Sequence, residues 1–276
     1  MAASLLITLR EGLEAALIIG IILACLRKTG NRERGAAVWT GTLAAAVLSM
    51  FVGGAIFVTA GEFTGRAEAV FEGTAMFTAV GVLTYMIFWM RRQAINIRAH
   101  LVAQVSSALQ AGSPFALGFL AFVAVGREGI ETALFMFAAT RAASPVAATA
   151  GGLLGLVAAA VLGYLLYRGT YRMNLRAFFN ATSVLLLLFA AGLLAHGVHE
   201  FHEAGLIPPL VEQLWDINPV LSENSTVGSF LKALFGYNGN PSLVEMLAWV
   251  GYLGLIGWAY FRPATARELR PQRARA

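Results

Sequence analysis

Seven stretches of this chain are apolar for long enough to cross a lipid bilayer: roughly 4–26, 36–60, 69–90, 115–139, 146–167, 177–197 and 243–262. A hydrocarbon core about 30 Å thick takes about 20 residues of helix, and inside it each backbone N–H and C=O must find its partner within the segment. Those requirements predict an all-α integral membrane protein with seven transmembrane helices. Composition agrees, because 58% of the 276 residues are hydrophobic and 13% are charged, about half the charge of an ordinary globular domain. A soluble enzyme, a disordered chain and a nucleic-acid binder are excluded on that ground. The first stretch has no basic segment ahead of it and carries charges within it, so it reads as a span and not as a cleaved signal peptide.

Charge placement sets the orientation. Fifteen of the 20 Lys and Arg residues fall on one set of connections, at Arg27, Lys28, Arg32 and Arg34, at Arg91, Arg92 and Arg98, at Arg168, Arg172 and Arg176, and from Arg262 onward. The opposite set holds Arg66, Arg141 and Lys232. Cytoplasmic connections carry the excess of basic residues, so the N-terminus is expected outside and the C-terminus inside. The net charge of +5 is then a topology signal, and nucleic acid is not needed to explain it. The outer connections are acidic, with Glu62, Glu68, Glu200, Glu203, Glu212, Asp216 and Glu223. Such a face concentrates cations.

Two segments nearly copy each other. Span one contains Arg10-Glu11-Gly12-Leu13-Glu14, and span four contains Arg127-Glu128-Gly129-Ile130-Glu131. A weaker echo pairs Phe71-Glu72-Gly73-Thr74 in span three with Phe179-Asn180-Ala181-Thr182 in span six. The unit is therefore three helices, and an odd number makes the second copy enter the membrane from the other side. Inverted three-helix repeats are a transporter architecture with the site near the midplane. The expected layout is one transmembrane domain over 1–262: repeat 1 at about 4–92, repeat 2 at about 115–203, an outer loop at 198–242 and helix seven at 243–262. A basic cytoplasmic tail, 263–276, follows.

The charges inside the spans demand an explanation. Residues three and four apart share a helix face, so Arg10, Glu11 and Glu14 project to one side, as do Arg127, Glu128 and Glu131. Each charge at a helix centre costs about 2.5–3.5 kcal/mol on insertion scales. Each motif holds two carboxylates for one guanidinium, and a bound cation would neutralise the excess. A purely structural Arg–Glu clamp between the helices is the alternative. Carboxylates are hard donors and no Cys or Met cluster is nearby, so Fe(III), Fe(II) or Mn(II) fits better than a soft ion. Carboxylate chains also relay protons, which keeps a proton-coupled transporter of another cation in play.

A second cluster closes span six. If the helix continues, His196, His199, Glu200 and Glu203 form one stripe ending on the outer side, a candidate outer receiving site, with Glu72 of span three lining the approach. A polar helix end is the plain alternative. Glu245 reads as an interfacial residue at the start of span seven. The loop 198–242 is long for a bundle, and loops of such length are often functional; it is a candidate lid or docking surface.

The doubled R-E-G-[L/I]-E motif, the seven spans with an outside N-terminus and the segment Gly197-Val198-His199-Glu200-Phe201 together resemble the high-affinity ferric-iron permease family. That family includes oxidase-linked fungal permeases and the membrane component of bacterial Efe-type iron uptake systems. The resemblance implies Fe(III) import, with Glu11, Glu14, Glu128 and Glu131 as ligands along the path and Arg10 and Arg127 as their partners. Glu200-Phe201-His202-Glu203 is similar to the outer E-x-x-E iron-contact motif. The resemblance further implies the bacterial inner membrane and transported iron with no permanently bound cofactor. Its implied partners are a periplasmic iron-binding protein and a haem peroxidase, or an oxidase in their place.

Overall fold

A computed structural model of the chain describes residues 1–93, 97–110, 113–142, 144–169, 174–208, 210–223 and 225–262. The expected basic tail 263–276 and Arg172 lie outside the described residues. Among those described, the regular structure is helical: α1 Ala2–Lys28, α2 Gly35–Glu62, α3 Arg66–Gln93, α4 Ile97–Gln110, α5 Pro114–Ala142, α6 Pro145–Arg168, α7 Leu175–Glu203, α8 Thr226–Phe235 and α9 Leu243–Phe261. Local signals set several ends. Asn174, Ser225 and Ser242 cap α7, α8 and α9 by accepting from the N–H groups of Ala177, Gly228 and Glu245. Gly169 and Gly236 close α6 and α8 at positive φ, a conformation glycine adopts without strain.

Five of these helices, α2, α3, α6, α7 and α9, are long and apolar enough to cross a membrane. Helices α1 and α5 match them in length, at 27 and 29 residues, but carry the charged motifs. The outer surface of the bundle is apolar: α2 exposes Leu43, Val47, Met50 and Phe51, and α6 exposes Leu153, Leu154, Val157 and Val161. Faces like these belong against lipid, because a soluble protein seldom leaves apolar patches of this extent uncovered.

Helix α1 packs chiefly on α6, α2 on α5, and α3 on α7, with α9 outside against α7. This pairing is unchanged when α1, α2 and α3 are exchanged for α5, α6 and α7, and the exchange holds residue by residue. Gly12 lies against Ala159, and Gly129 against Ser49. Gly163 lies against Ala16, and Gly53 against Ala133. Gly41 meets the backbone of Gly118, and Gly151 that of Met1. The motif glycines thus let a neighbouring helix approach. Gly12 and Gly129 stand 117 positions apart, as do Ala16 and Ala133; Gly41 and Gly151 stand 110 apart, as do Gly53 and Gly163.

The third helices correct the sequence alignment. A Cβ on Gly73 would meet the Phe201 ring at 2.6 Å, and one on Gly197 would meet the Phe77 ring at 3.1 Å. Gly73 and Phe77 therefore correspond to Gly197 and Phe201, both 124 positions on, and not to the Phe179–Thr182 segment. The true match keeps only small and aromatic packing residues, which is why the echo was misplaced. These two contacts run in opposite senses along the chain, so α3 and α7 are antiparallel.

Two further expectations change. The segment 198–242 is not one loop, because α7 continues to Glu203 and α8 occupies Thr226–Phe235. The basic connection after α3 contains α4, which seats against α1 and α5.

Candidate metal centre

Helices α1 and α5 meet at their charged motifs. Arg10 Nε donates to Glu14 Oε1 at 3.1 Å, and Arg127 Nε donates to Glu131 Oε1 at 2.8 Å. One carboxylate of each motif is thereby held by its own guanidinium four residues away. The two remaining carboxylates, Glu11 and Glu128, meet the arginine-held Glu131, and each of the three presents an oxygen within 4.8 Å of the others. Both oxygens of Glu11, one of Glu128 and one of Glu131 are buried without a hydrogen-bond partner. Buried carboxylate oxygens without donors are costly, and a cation supplies what they lack. Three of the four predicted glutamates thus converge with oxygen donors alone, while Glu14 is held by Arg10 and lines the adjoining cavity with Glu128.

The two arginines differ in setting. Arg10 is fully buried, and its terminal nitrogens have no protein partner. The Arg127 side chain is 38% exposed and stands over the Trp89 ring at 4.5 Å. Glu14, Arg127 and Glu128 line a cavity of about 230 Å³ together with Trp89, Leu101 and Gln104. This cavity opens the centre toward α4 and the basic end of α3.

The expected outer site divides in two. Glu200 and Glu203 line a vestibule of about 860 Å³ with Glu72, Glu68, Arg66 and Arg141. Arg141 holds Glu72 at 2.6 Å and reaches Glu68 at 3.7 Å. His196 and His199 instead line a cavity of about 120 Å³ beneath α8, with Glu223, Lys232, Asn238 and Glu245. They still touch the vestibule carboxylates, His196 to Glu200 at 3.8 Å and His199 to Glu203 at 3.3 Å. Under α8, Glu223 accepts from Lys232 Nζ at 2.7 Å and from the Gly239 N–H at 2.8 Å. Partial burial raises its pKa, but these donors outweigh burial and hold it below the ordinary carboxylate value.

The description of the iron permease FTR1 family matches residues 1–264. The chain belongs to that family. It is 42% identical over 255 residues, 92% of each chain, to the ferrous iron permease EfeU of Escherichia coli O6:K15:H31 (strain 536 / UPEC). It is 38% identical over 282 residues to the ferrous iron permease EfeU of Yersinia pestis, covering 98% of this chain and all of that one. No solved structure matches the chain. Family, bacterial relatives and apolar helices together make it an iron permease and an integral protein of the inner membrane.

Three features of this permease escaped sequence reading. Glu245 is not merely interfacial: it is 4% exposed and accepts from Ser242 and Asn238 while pairing with His199 at 3.0 Å. Its cue was the Ser242-x-x-Glu245 capping spacing. Arg141 sits in the acidic vestibule, a placement no local pattern signals. Helix α4 covers the inner cavity and is too short and polar to register as a span.

Proposed function

We propose that this chain carries iron inward as Fe(III) through Glu11, Glu14, Glu128 and Glu131, with Arg10 and Arg127 orienting one carboxylate in each motif. The observation that supports this reading best is the set of buried carboxylate oxygens without partners where α1 meets α5. Four carboxylates against two guanidinium groups leave two negative charges in excess, and hard oxygen donors favour a hard ion. Glu72, Glu200 and Glu203 receive the ion at the vestibule, with His196 and His199 behind them.

Seven spans with the N-terminus outside and the C-terminus inside accommodate the contacts. Arg27 reaches Tyr167 and Arg91 reaches the carbonyls of Tyr260 and Arg262 at the basic face, while Glu72 and Arg141 meet at the other. The antiparallel α3–α7 pair and the reciprocal glycine contacts favour two inverted three-helix repeats with α9 added. The protein works as a permease and not as an enzyme, with iron as cargo and no resident cofactor. By resemblance, a periplasmic iron-binding protein and a haem peroxidase, or an oxidase, deliver the ion to the outer face.

A second reading is proton-coupled transport of another cation: Fe(II), Mn(II) or Pb(II). The names of the bacterial relatives favour Fe(II) among these. Uptake of labelled iron by reconstituted vesicles decides between them. Uptake of Fe(III), abolished in Glu14→Gln, is the expected result. Uptake of Fe(II) alone keeps the permease and discards the ferric assignment; uptake unaffected by Glu14→Gln discards the site.

A further inference from the structure

We infer that Arg141 is the outer latch of the transport cycle, a built-in cation that occupies the vestibule carboxylates until the cargo displaces it. The inference rests on the proposed reading of two inverted repeats that carry iron inward, and adds that they move against each other during transport. Arg141 belongs to α5 of the second repeat and Glu72 to α3 of the first, and their 2.6 Å contact ties the two repeats together at the outer face. The Glu72 side chain is 9% exposed and that of Arg141 27%, so the pair is only partly screened by solvent. A second carboxylate, Glu68, stands 3.7 Å from the same guanidinium.

The latch lies over an aromatic plug. The Arg141 guanidinium sits 5.3 Å over the Phe137 ring. Phe137 is fully buried and meets Phe57 and Phe71 edge to face, with centroids 5.4 and 5.9 Å apart. Along α5 the order Glu131, Phe135, Phe137, Arg141 runs from the central carboxylates to the vestibule. Ten residues of helix span about 15 Å, and fully buried Phe135, Phe137 and Ala138 occupy that interval. On the other side of the centre, Glu14 and Glu128 line the inner cavity. On this reading the buried interval closes the outer side, while the inner cavity reaches the centre.

The chemistry links cargo to opening. Glu72 cannot serve Arg141 and a metal ion fully at once. A di- or trivalent ion attracts the carboxylate more strongly than a single guanidinium charge does. An ion entering among Glu72, Glu200 and Glu203 therefore takes Glu72 from Arg141 and unties α3 from α5. A ligand shifts such an equilibrium only by its differential affinity for the two states, and this competition supplies one.

The test uses thiol accessibility, which needs no transport. The sole cysteine is removed as Cys25→Ser, Ala138→Cys places a thiol beneath the latch, and a membrane-impermeant maleimide is added to right-side-out vesicles without metal. With Arg141 intact, labelling is slow. Arg141→Gln raises the rate by about tenfold, which corresponds to about 1.4 kcal/mol of lost closed-state preference. Arg141→Lys, which keeps the charge, stays near the parent rate. Glu72→Gln removes the same pair from the other side and raises labelling even if Arg141→Gln does not fold. Unchanged labelling in both neutral variants overturns the latch, and so does equal labelling in Arg141→Gln and Arg141→Lys. Vesicles of the parent chain that take up no iron would count against the transport reading alone.

Discussion

Arg10 and Glu14 are joined through a single Nε–Oε1 contact of 3.1 Å, four residues apart on α1, and the fork of that guanidinium finds no other protein partner. Arg127 and Glu131 repeat the contact on α5. Each arginine thus restrains one carboxylate and leaves Glu11 or Glu128 free to turn toward the other helix. On the proposed reading, guanidinium and carboxylate divide the work: one orients and the other holds the ion.

Glu11→Gln and Glu128→Gln should abolish iron uptake while making the metal-free protein more stable. A buried, unpaired charged oxygen carries a desolvation penalty of about 1–3 kcal/mol or more, and an amide removes the charge at almost unchanged shape. Thermal unfolding in detergent should show a raised midpoint without metal and no further rise when iron is added. A lowered midpoint would mean that these carboxylates are structural.

Arg10→Lys and Arg127→Lys should differ. Lysine has no Nε–H at the same reach and no planar fork. At fully buried Arg10 the change strands Glu14 and should abolish uptake with expression largely retained. At half-exposed Arg127 the ammonium can reach the cavity, and measurable uptake should remain. Equal loss in both would contradict the difference in their surroundings.

The reciprocal glycines offer a symmetry test on stability. Gly41→Ala and Gly151→Ala each drive a methyl group into the backbone of a packed helix, and each should cost about 1–3 kcal/mol, as overpacking does. Gly251→Ala on α9 has nothing within 4 Å of its new methyl group and should be neutral or stabilising by up to about 1 kcal/mol, since alanine is the better helix former. Detergent unfolding of the three variants side by side checks the set.

The segment under α8 should loosen in acid. The folded-state pKa of Glu223 is held below the ordinary value of 4.5, so its contribution is present above that value and is lost as the pH falls below it. Limited proteolysis between Glu203 and Leu243 should accelerate as the pH drops through that range. Glu223→Gln should show the acid rate already at neutral pH.

Much of this was legible in the chain. The span boundaries follow from apolar length alone: the stretch 36–60 became Gly35–Glu62, and 146–167 became Pro145–Arg168. The central glutamates stand out because a charged pentapeptide inside an apolar helix is costly, and a doubled one is conspicuous. What stayed hidden depends on partners far away in sequence. The match of Gly73 to Gly197 survives only as packing shape. The split of the histidines from Glu200 and Glu203 arises because α8 and α9 lie against one side of the α7 stripe and the vestibule opens on the other. Arg141 was an ordinary basic residue in an outer connection until α3 placed Glu72 beside it.

The proposed function stands or falls on iron being held by carboxylates contributed by both motifs. X-ray absorption on the purified, iron-loaded protein tests it most directly, with wild type compared to Glu128→Gln. The iron at the centre should have oxygen neighbours alone in the wild type and should be lost in the variant. An unchanged iron content and shell in Glu128→Gln, or imidazole scattering from the iron that this variant loses, would contradict it.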